Sequence, residues 1–134
     1  MKLFRANQAS EELIDNFLKN NTEINKASLL ESGYVVQINH RITGCFTLES
    51  IDDDLYWLKQ LYITRTEAIK LPYLVEAVLA LALQKKAKKV YVRSHKLMLD
   101  IILESLQFQQ EKASPIQEAV EDAHGKWWSY NISS

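Results

Sequence analysis

Apolar residues recur along this chain at two periods, and the switches between them mark the elements. Leu13, Ile14, Phe17 and Leu18 fall at helical spacing. Ser10 stands before them as an N-cap, and Glu11 and Glu12 occupy the first turn, where the helix dipole favours negative charge. A helix to about Asn20 is predicted, with Lys2–Arg5 as a short strand ahead of it. Residues 21–33 are polar and without a clear period, with a short helical turn over Lys26–Glu31. Tyr34–Ile38 and Ile42–Leu48 are strand-like runs separated by Asn39-His40-Arg41, the spacing of a hairpin. Gly44, inside the second run, marks a bulge or a close contact. Residues 51–54 read as a turn with Asp52-Asp53-Asp54 at its solvated tip. Leu55–Ile63 then alternates with apolar residues on both faces: Leu55, Trp57, Leu61 and Ile63 on one, Tyr56, Leu58 and Tyr62 on the other. A central strand covered on both sides has that pattern.

The second half opens with a loop over residues 64–70. Leu71, Leu74, Val75, Val78, Leu79 and Ala82 follow at the spacing of one buried helix face. Pro72 suits the first helical position, where a missing N–H costs nothing. Lys85, Lys86, Lys88 and Lys89 stand at the far end, where cations suit the dipole. Val90-Tyr91-Val92 is a short buried strand. Ser94 is placed to cap a helix over about Lys96–Leu106, and Phe108–Lys112 and Lys126–Ile132 read as two late strands. The order is β-α-β-β-β-α-β-α-β-β. The unit 55–63, 71–86, 89–93 is a βαβ crossover, which makes its two strands parallel neighbours. The expected fold class is α/β: a mixed twisted sheet with helices on both faces, in a single domain over residues 1–134.

Composition narrows the function classes. The chain has 134 residues, of which 47% are hydrophobic and 25% charged, the balance of an ordinary globular domain. Lys plus Arg is 16 and Asp plus Glu 17, so no basic excess points to nucleic acid. The apolar run Leu71–Leu83 is broken by Pro72 and Glu76 and is too short to cross a bilayer. Met1–Asn7 has no signal-peptide core, so the expectation is a cytoplasmic protein without a membrane partner. One cysteine, Cys45, excludes an internal disulfide, and three scattered histidines give no metal-binding spacing.

The order and lengths of these elements resemble the GNAT (N-acetyltransferase) superfamily over most of the chain. Gly33–Leu48 is similar to that family's second and third strands. Leu61-Tyr62-Ile63 is similar to the end of its fourth, and Leu74–Ala82 with Lys85–Val92 to its long helix and fifth strand. Leu103–Phe108 is similar to its Y-e-k-l-G-F segment, and Ile116, Glu118, Trp128 and Tyr130 to its C-terminal region. The resemblance implies acyl transfer from acetyl-CoA to an amine, on a small molecule or a protein. The backbone of Leu61, Tyr62 and Ile63 would position the cofactor's pantetheine arm, and the stretch through Ile69, Lys70 and Leu71 would meet its pyrophosphate.

The family's chemical signature is altered here. Its Q/R-x-x-G-x-G/A loop presents backbone amides to the pyrophosphate, and glycine lets the phosphate come close. The matching positions are Thr66, Ile69 and Leu71, and Pro72 removes a further donor. The family's common acidic position in the fourth strand is Trp57, and its common proton-donating Tyr is Leu103; neither can move a proton at neutral pH. Acetyl-CoA is therefore expected to bind weakly. His95, after the fifth strand, is the remaining general-base candidate, against a plainer reading as a surface or capping residue. His40 reads as a turn residue, His124 as a structural one, and Cys45 as a small buried hydrophobe. Asp52–Asp54 lacks calcium-loop spacing. The lysine cluster reads as a solvated helix end, or as a phosphate or acidic-partner patch. Trp127 is expected to be more exposed than Trp128, Tyr130 and Ile132, as a possible binding anchor. Two functions follow: a GNAT-type N-acetyltransferase with a degenerate cofactor loop, or a non-catalytic binding or regulatory module on the same fold.

Overall fold

A computed structural model of the chain describes residues 1–112 and 125–132. The elements run β1 (Lys2–Arg5), α1 (Glu11–Lys19), α2 (Lys26–Ser32), β2 (Gly33–Ile38), β3 (Arg41–Asp52), β4 (Leu55–Ile63), α3 (Leu71–Gln84), β5 (Lys89–Ser94), α4 (Leu97–Ser105), β6 (Gln109–Glu111) and β7 (Lys126–Asn131). Short 3-10 helices cover Ala6–Gln8 and Arg65–Lys70. The strands form one mixed sheet in the order β1-β2-β3-β4-β5-β7-β6. The expected α/β class and element order hold, with α2 added as a helix in its own right. By compactness the chain divides into two units, Met1–Glu49 with Lys59–Leu71, and Ser50–Leu58 with Pro72–Ser134.

In the first unit, the Ser10 hydroxyl accepts from the Leu13 amide at 3.4 Å and starts α1, as its sequence predicts. Asn25 caps α2 in the same way, accepting from Ser28 N at 2.9 Å. Lys26 links the two helices: its ammonium donates to Asp15 at 2.8 Å, and that bond holds it above its usual range. β1 and β2 pair antiparallel, as do β2 and β3. The β2–β3 turn is Asn39-His40, both left-handed at φ 52° and 65°, the conformation that matches hairpin twist. Asn tolerates it readily; His does so less often. The register shifts between Val36 (opposite Gly44) and Gln37 (opposite Ile42), which leaves Thr43 as the extra residue of a bulge. Gly44 is also a close contact, since a Cβ there would stand 2.8 Å from the Tyr62 carbonyl oxygen. Ala6, Ile14, Phe17, Ile24, Leu29, Val35, Ile42 and Cys45 form the buried core of this unit.

β4 departs from the even alternation read in its sequence. Gln60 is left-handed, at φ 52°, within the strand. Cys45 Sγ donates to Gln60 O at 3.5 Å and Thr47 Oγ1 to Lys59 O at 3.2 Å, so residues two apart on β3 reach successive carbonyls of β4. The Gln60 side chain is clasped by the main chain of Asn25, accepting from its N–H at 2.6 Å and donating to its carbonyl at 3.5 Å. Only Leu58 of this strand is fully buried.

In the second unit, β4 pairs parallel with β5 over Leu55–Leu58 and Lys89–Val92, as the crossover requires. β5 and β6 both pair antiparallel with β7. α3 buries Leu74, Val75, Val78 and Ala82; Leu71 and Leu79 of the expected stripe are half-buried. α3 and α4 close alike, with a left-handed residue after the last turn: Lys86 at φ 61° and Gln107 at φ 72°. Ala87 N then donates to Ala82 O at 2.9 Å, and Phe108 N to Leu103 O at 2.9 Å. Both are Schellman closures, with Lys and Gln where glycine is usual. Three expectations are corrected. β3 runs on to Asp52, so the acidic tip is Asp53-Asp54. α4 starts after Lys96, and the Ser94 hydroxyl donates to the Lys96 carbonyl at 3.1 Å rather than capping an amide. Trp127 is 5% exposed and Trp128 6%, so Trp127 is core rather than an anchor. It packs on Trp57 at 5.5 Å with Arg93 stacked over it at 4.8 Å, while Trp128 Nε1 donates to Asp100 Oδ1 at 2.9 Å.

Candidate functional site

The first unit contains a concavity of about 340 Å³, the lower end of the range for small-ligand pockets. Its floor is apolar: Leu13 and Phe17 of α1, Ile42 of β3 and the Tyr62 ring of β4. Phe17 and Tyr62 are themselves in ring contact at 5.8 Å. Its rim is neutral and polar with one cation: Asn16 and Asn20 from α1, Arg41 and Thr43 from β3, Thr64 and Thr66 beyond β4. The bulge places Thr43 here. Its carbonyl accepts from Thr64 N at 2.7 Å, but its buried hydroxyl has no hydrogen-bond partner among the described residues. Asn21, also in the wall, spends its amide N–H on the Phe17 carbonyl at 2.8 Å.

Of the residues singled out in the sequence, Leu61, Tyr62 and Ile63 lie at the end of β4, half-buried, and Tyr62 lines the concavity. They follow the left-handed Gln60, and the β5 ladder covers only Leu55–Leu58. Ile69, Lys70 and Leu71 lie where a 3-10 helix replaces the expected loop and runs straight into α3. Within it Glu67 N donates to Thr64 O at 2.9 Å, and the Leu71 N–H donates to Ala68 O. Lys70 is paired with Glu67 at 2.7 Å, and Ile69 is 82% exposed. The two amides that would open α3 are thus a donor already used and a proline.

His95 belongs to the second unit, exposed beyond β5; a Cβ on Gly125 would stand 3.1 Å from its Nε2. Trp57 stacks in the aromatic cluster and Leu103 is wholly buried, so both act as packing. Cys45 is buried too, and desolvation pushes its thiol up to about 12, too high for a nucleophile. His40 is exposed in its turn; Ile116, Glu118 and His124 lie outside the described residues. Lys88 pairs with Asp54 at 3.3 Å and Lys89 with Glu111 at 3.7 Å, while Lys85 and Lys86 are exposed at the end of α3. No metal-binding group occurs among the described residues, and no helix there is long and apolar enough to cross a membrane. The pocket and the left-handed Gln60 were not legible in the sequence. The pocket joins three separate stretches of chain, and glutamine carries no signal for that conformation.

No protein-family model matches this chain, and no curated protein does. Solved structures do. A GNAT-family acetyltransferase from Staphylococcus aureus Mu50 superposes with a TM-score of 0.73 at 17% identity, over 98% of this chain and 99% of that one. An acetyltransferase from Streptococcus agalactiae gives 0.75 at 14% identity, over 97% of each. N-acetylglutamate synthase from Neisseria gonorrhoeae, solved with coenzyme A and N-acetyl-glutamate, gives 0.74 at 10% identity, over 99% of this chain and 35% of that one. At these identities the likeness is one of architecture, and the architecture of this chain is the GNAT fold.

Proposed function

We propose that the protein is a GNAT-fold binding module: it takes a small molecule in the α1–β3–β4 pocket and holds acyl-CoA only weakly. The observation that carries this reading is the 3-10 helix over Arg65–Lys70. A pyrophosphate cradle needs several main-chain N–H groups free and converging. Here the Leu71 and Glu67 amides are spent on local carbonyls, the next residue is Pro72, and Lys70 is paired with Glu67. Two or three charge-assisted hydrogen bonds lost, at about 1.5–3 kcal/mol each, weaken binding on the order of a thousandfold. That turns a micromolar cofactor into a millimolar one. Isothermal titration calorimetry is expected to give no saturable acetyl-CoA binding at about 100 μM. A dissociation constant in the low micromolar range overturns the reading.

A second reading, N-acetyltransferase, is favoured by one feature: Leu61–Ile63 continues past the left-handed Gln60, beyond the stretch paired with β5, where the resemblance would set the pantetheine arm. In that reaction the amine nitrogen attacks the thioester carbonyl. The C–N bond forms, the C–S bond breaks, the amine loses a proton, and the sulfur leaves as thiolate and takes one up. Positioning supplies much of such a rate. Low-micromolar acetyl-CoA binding together with turnover would select this reading.

A further inference from the structure

The pocket described above also carries a charge signature. Eleven residues line it, and none is Asp or Glu; its one charged group is the Arg41 guanidinium. Arg41 makes no ion pair among the described residues. Thr43, two residues along the chain and in the same lining, has a buried hydroxyl with no partner among the described residues, which is costly unless something completes it. The apolar part of the lining is Leu13, Phe17, Ile42 and Tyr62.

We propose that the pocket recognises a small carboxylate with an apolar body, the chemistry of an apolar amino acid, with the carboxylate on Arg41 and Thr43 and the body on the floor. A guanidinium presents paired donors in the geometry of a carboxylate, and a threonine hydroxyl adds a third. A polyamine or aminoglycoside needs carboxylates to neutralise it and would meet an uncompensated arginine instead. Asn16, Asn20 and Thr64 offer neutral oxygens to an amine without demanding a second positive charge. That this carboxylate is also the ligand of the binding module rests on the reading above; the selectivity of the pocket does not.

The test is a heteronuclear NMR titration of the whole chain, without acyl-CoA, using leucine and leucinamide as probes. They share the amine and the apolar body and differ in the carboxylate. Leucine is expected to give saturable shifts at Thr43, Thr64 and Asn20, and leucinamide to bind about tenfold or more weakly. Arg41→Gln, at an exposed position, is expected to keep the spectrum outside the pocket and abolish the preference. Thr43→Val, which keeps the branched shape, is expected to weaken leucine about threefold or more. Equal binding of the two probes, a preference that survives R41Q, or no pocket shifts up to about 10 mM overturns the proposal. Tight acetyl-CoA binding would overturn the earlier reading and leave this selectivity standing; loss of selectivity would do the reverse.

Discussion

The two compact units treat their internal polar groups differently. In the second, such groups are matched within the fold: Trp128 Nε1 to Asp100 at 2.9 Å, Ser129 Oγ to Glu111 at 2.6 Å, Ser94 Oγ to the Lys96 carbonyl. Arg93 Nε is the departure, unbonded but lying on the Trp127 face, which holds a cation by its π electrons. In the first unit, the buried Thr43 hydroxyl has no hydrogen-bond partner among the described residues, and Thr43 lines a polar-rimmed concavity whose lining shares Phe17 and Ile42 with the buried core. Among the described residues, the second unit covers its one unbonded buried polar atom with a ring of its own. The first unit keeps its unbonded hydroxyl on a residue of the pocket proposed above to take a ligand. Trp57, in ring contact with Trp127, and the wholly buried Leu103 both add packing to the second unit.

The largest effect that sharpens this contrast is at Leu103. It is 0% exposed, so Leu103→Ala is expected to cost about 2–5 kcal/mol in denaturant unfolding. A change near zero would mean that α4 covers an open site and would erase the distinction.

The next tests the buried core of the first unit, to which Cys45 belongs. The Cys45 thiol, pushed up to about 12 by burial first and the Glu23 charge second, stays protonated in the fold while the unfolded thiol titrates near 9.0. Above pH 9.0 the unfolded chain binds fewer protons, so stability falls with rising pH. The contribution is intact below that value and is lost progressively towards pH 12, on the order of a few kcal/mol in all. Unfolding midpoints followed upward from pH 8.0 should fall more steeply for the wild type than for Cys45→Ala. Parallel curves would mean that water reaches the thiol.

The smallest effect is the most diagnostic. Thr43→Val removes a buried, unbonded hydroxyl and is expected to stabilise the free protein by about 1 kcal/mol while weakening the ligand. Destabilisation, read by thermal unfolding, would show that the hydroxyl already has a partner and break the contrast at its origin.

Much of the fold was legible because it is written locally. Ser10 before an apolar helical stripe, Asn39-His40 between two strand runs, and the 71–82 stripe each carry their own signal, and each element formed where expected. The failures share a cause. Trp127 reads as the more exposed in the sequence and is buried in the fold, because alternation tells which residues share a face, not whether that face is covered. On β7 both Trp127 and Trp128 are covered, by Trp57 with Arg93 and by Asp100. Gln60 adopts a left-handed backbone that only its clasp by Asn25, 35 residues away, accounts for. Residues 64–70 read as a loop; a 3-10 helix over Arg65–Lys70 takes up the Glu67 and Leu71 amides locally, through a backbone pattern that the side chains do not signal.

The placement of the aromatic side chains has an optical consequence. All three tryptophans of the chain, Trp57, Trp127 and Trp128, fall in the second unit, and two of them are in ring contact. Intrinsic emission excited at the indole band therefore reports that unit alone. The first unit, with its pocket and Tyr62, is dark by this probe. A ligand entering the pocket would leave the emission unchanged, and unfolding of the first unit would be visible in far-ultraviolet dichroism before any indole signal moved. Coincidence of the two transitions is then a direct measure of whether the chain melts as one cooperative body.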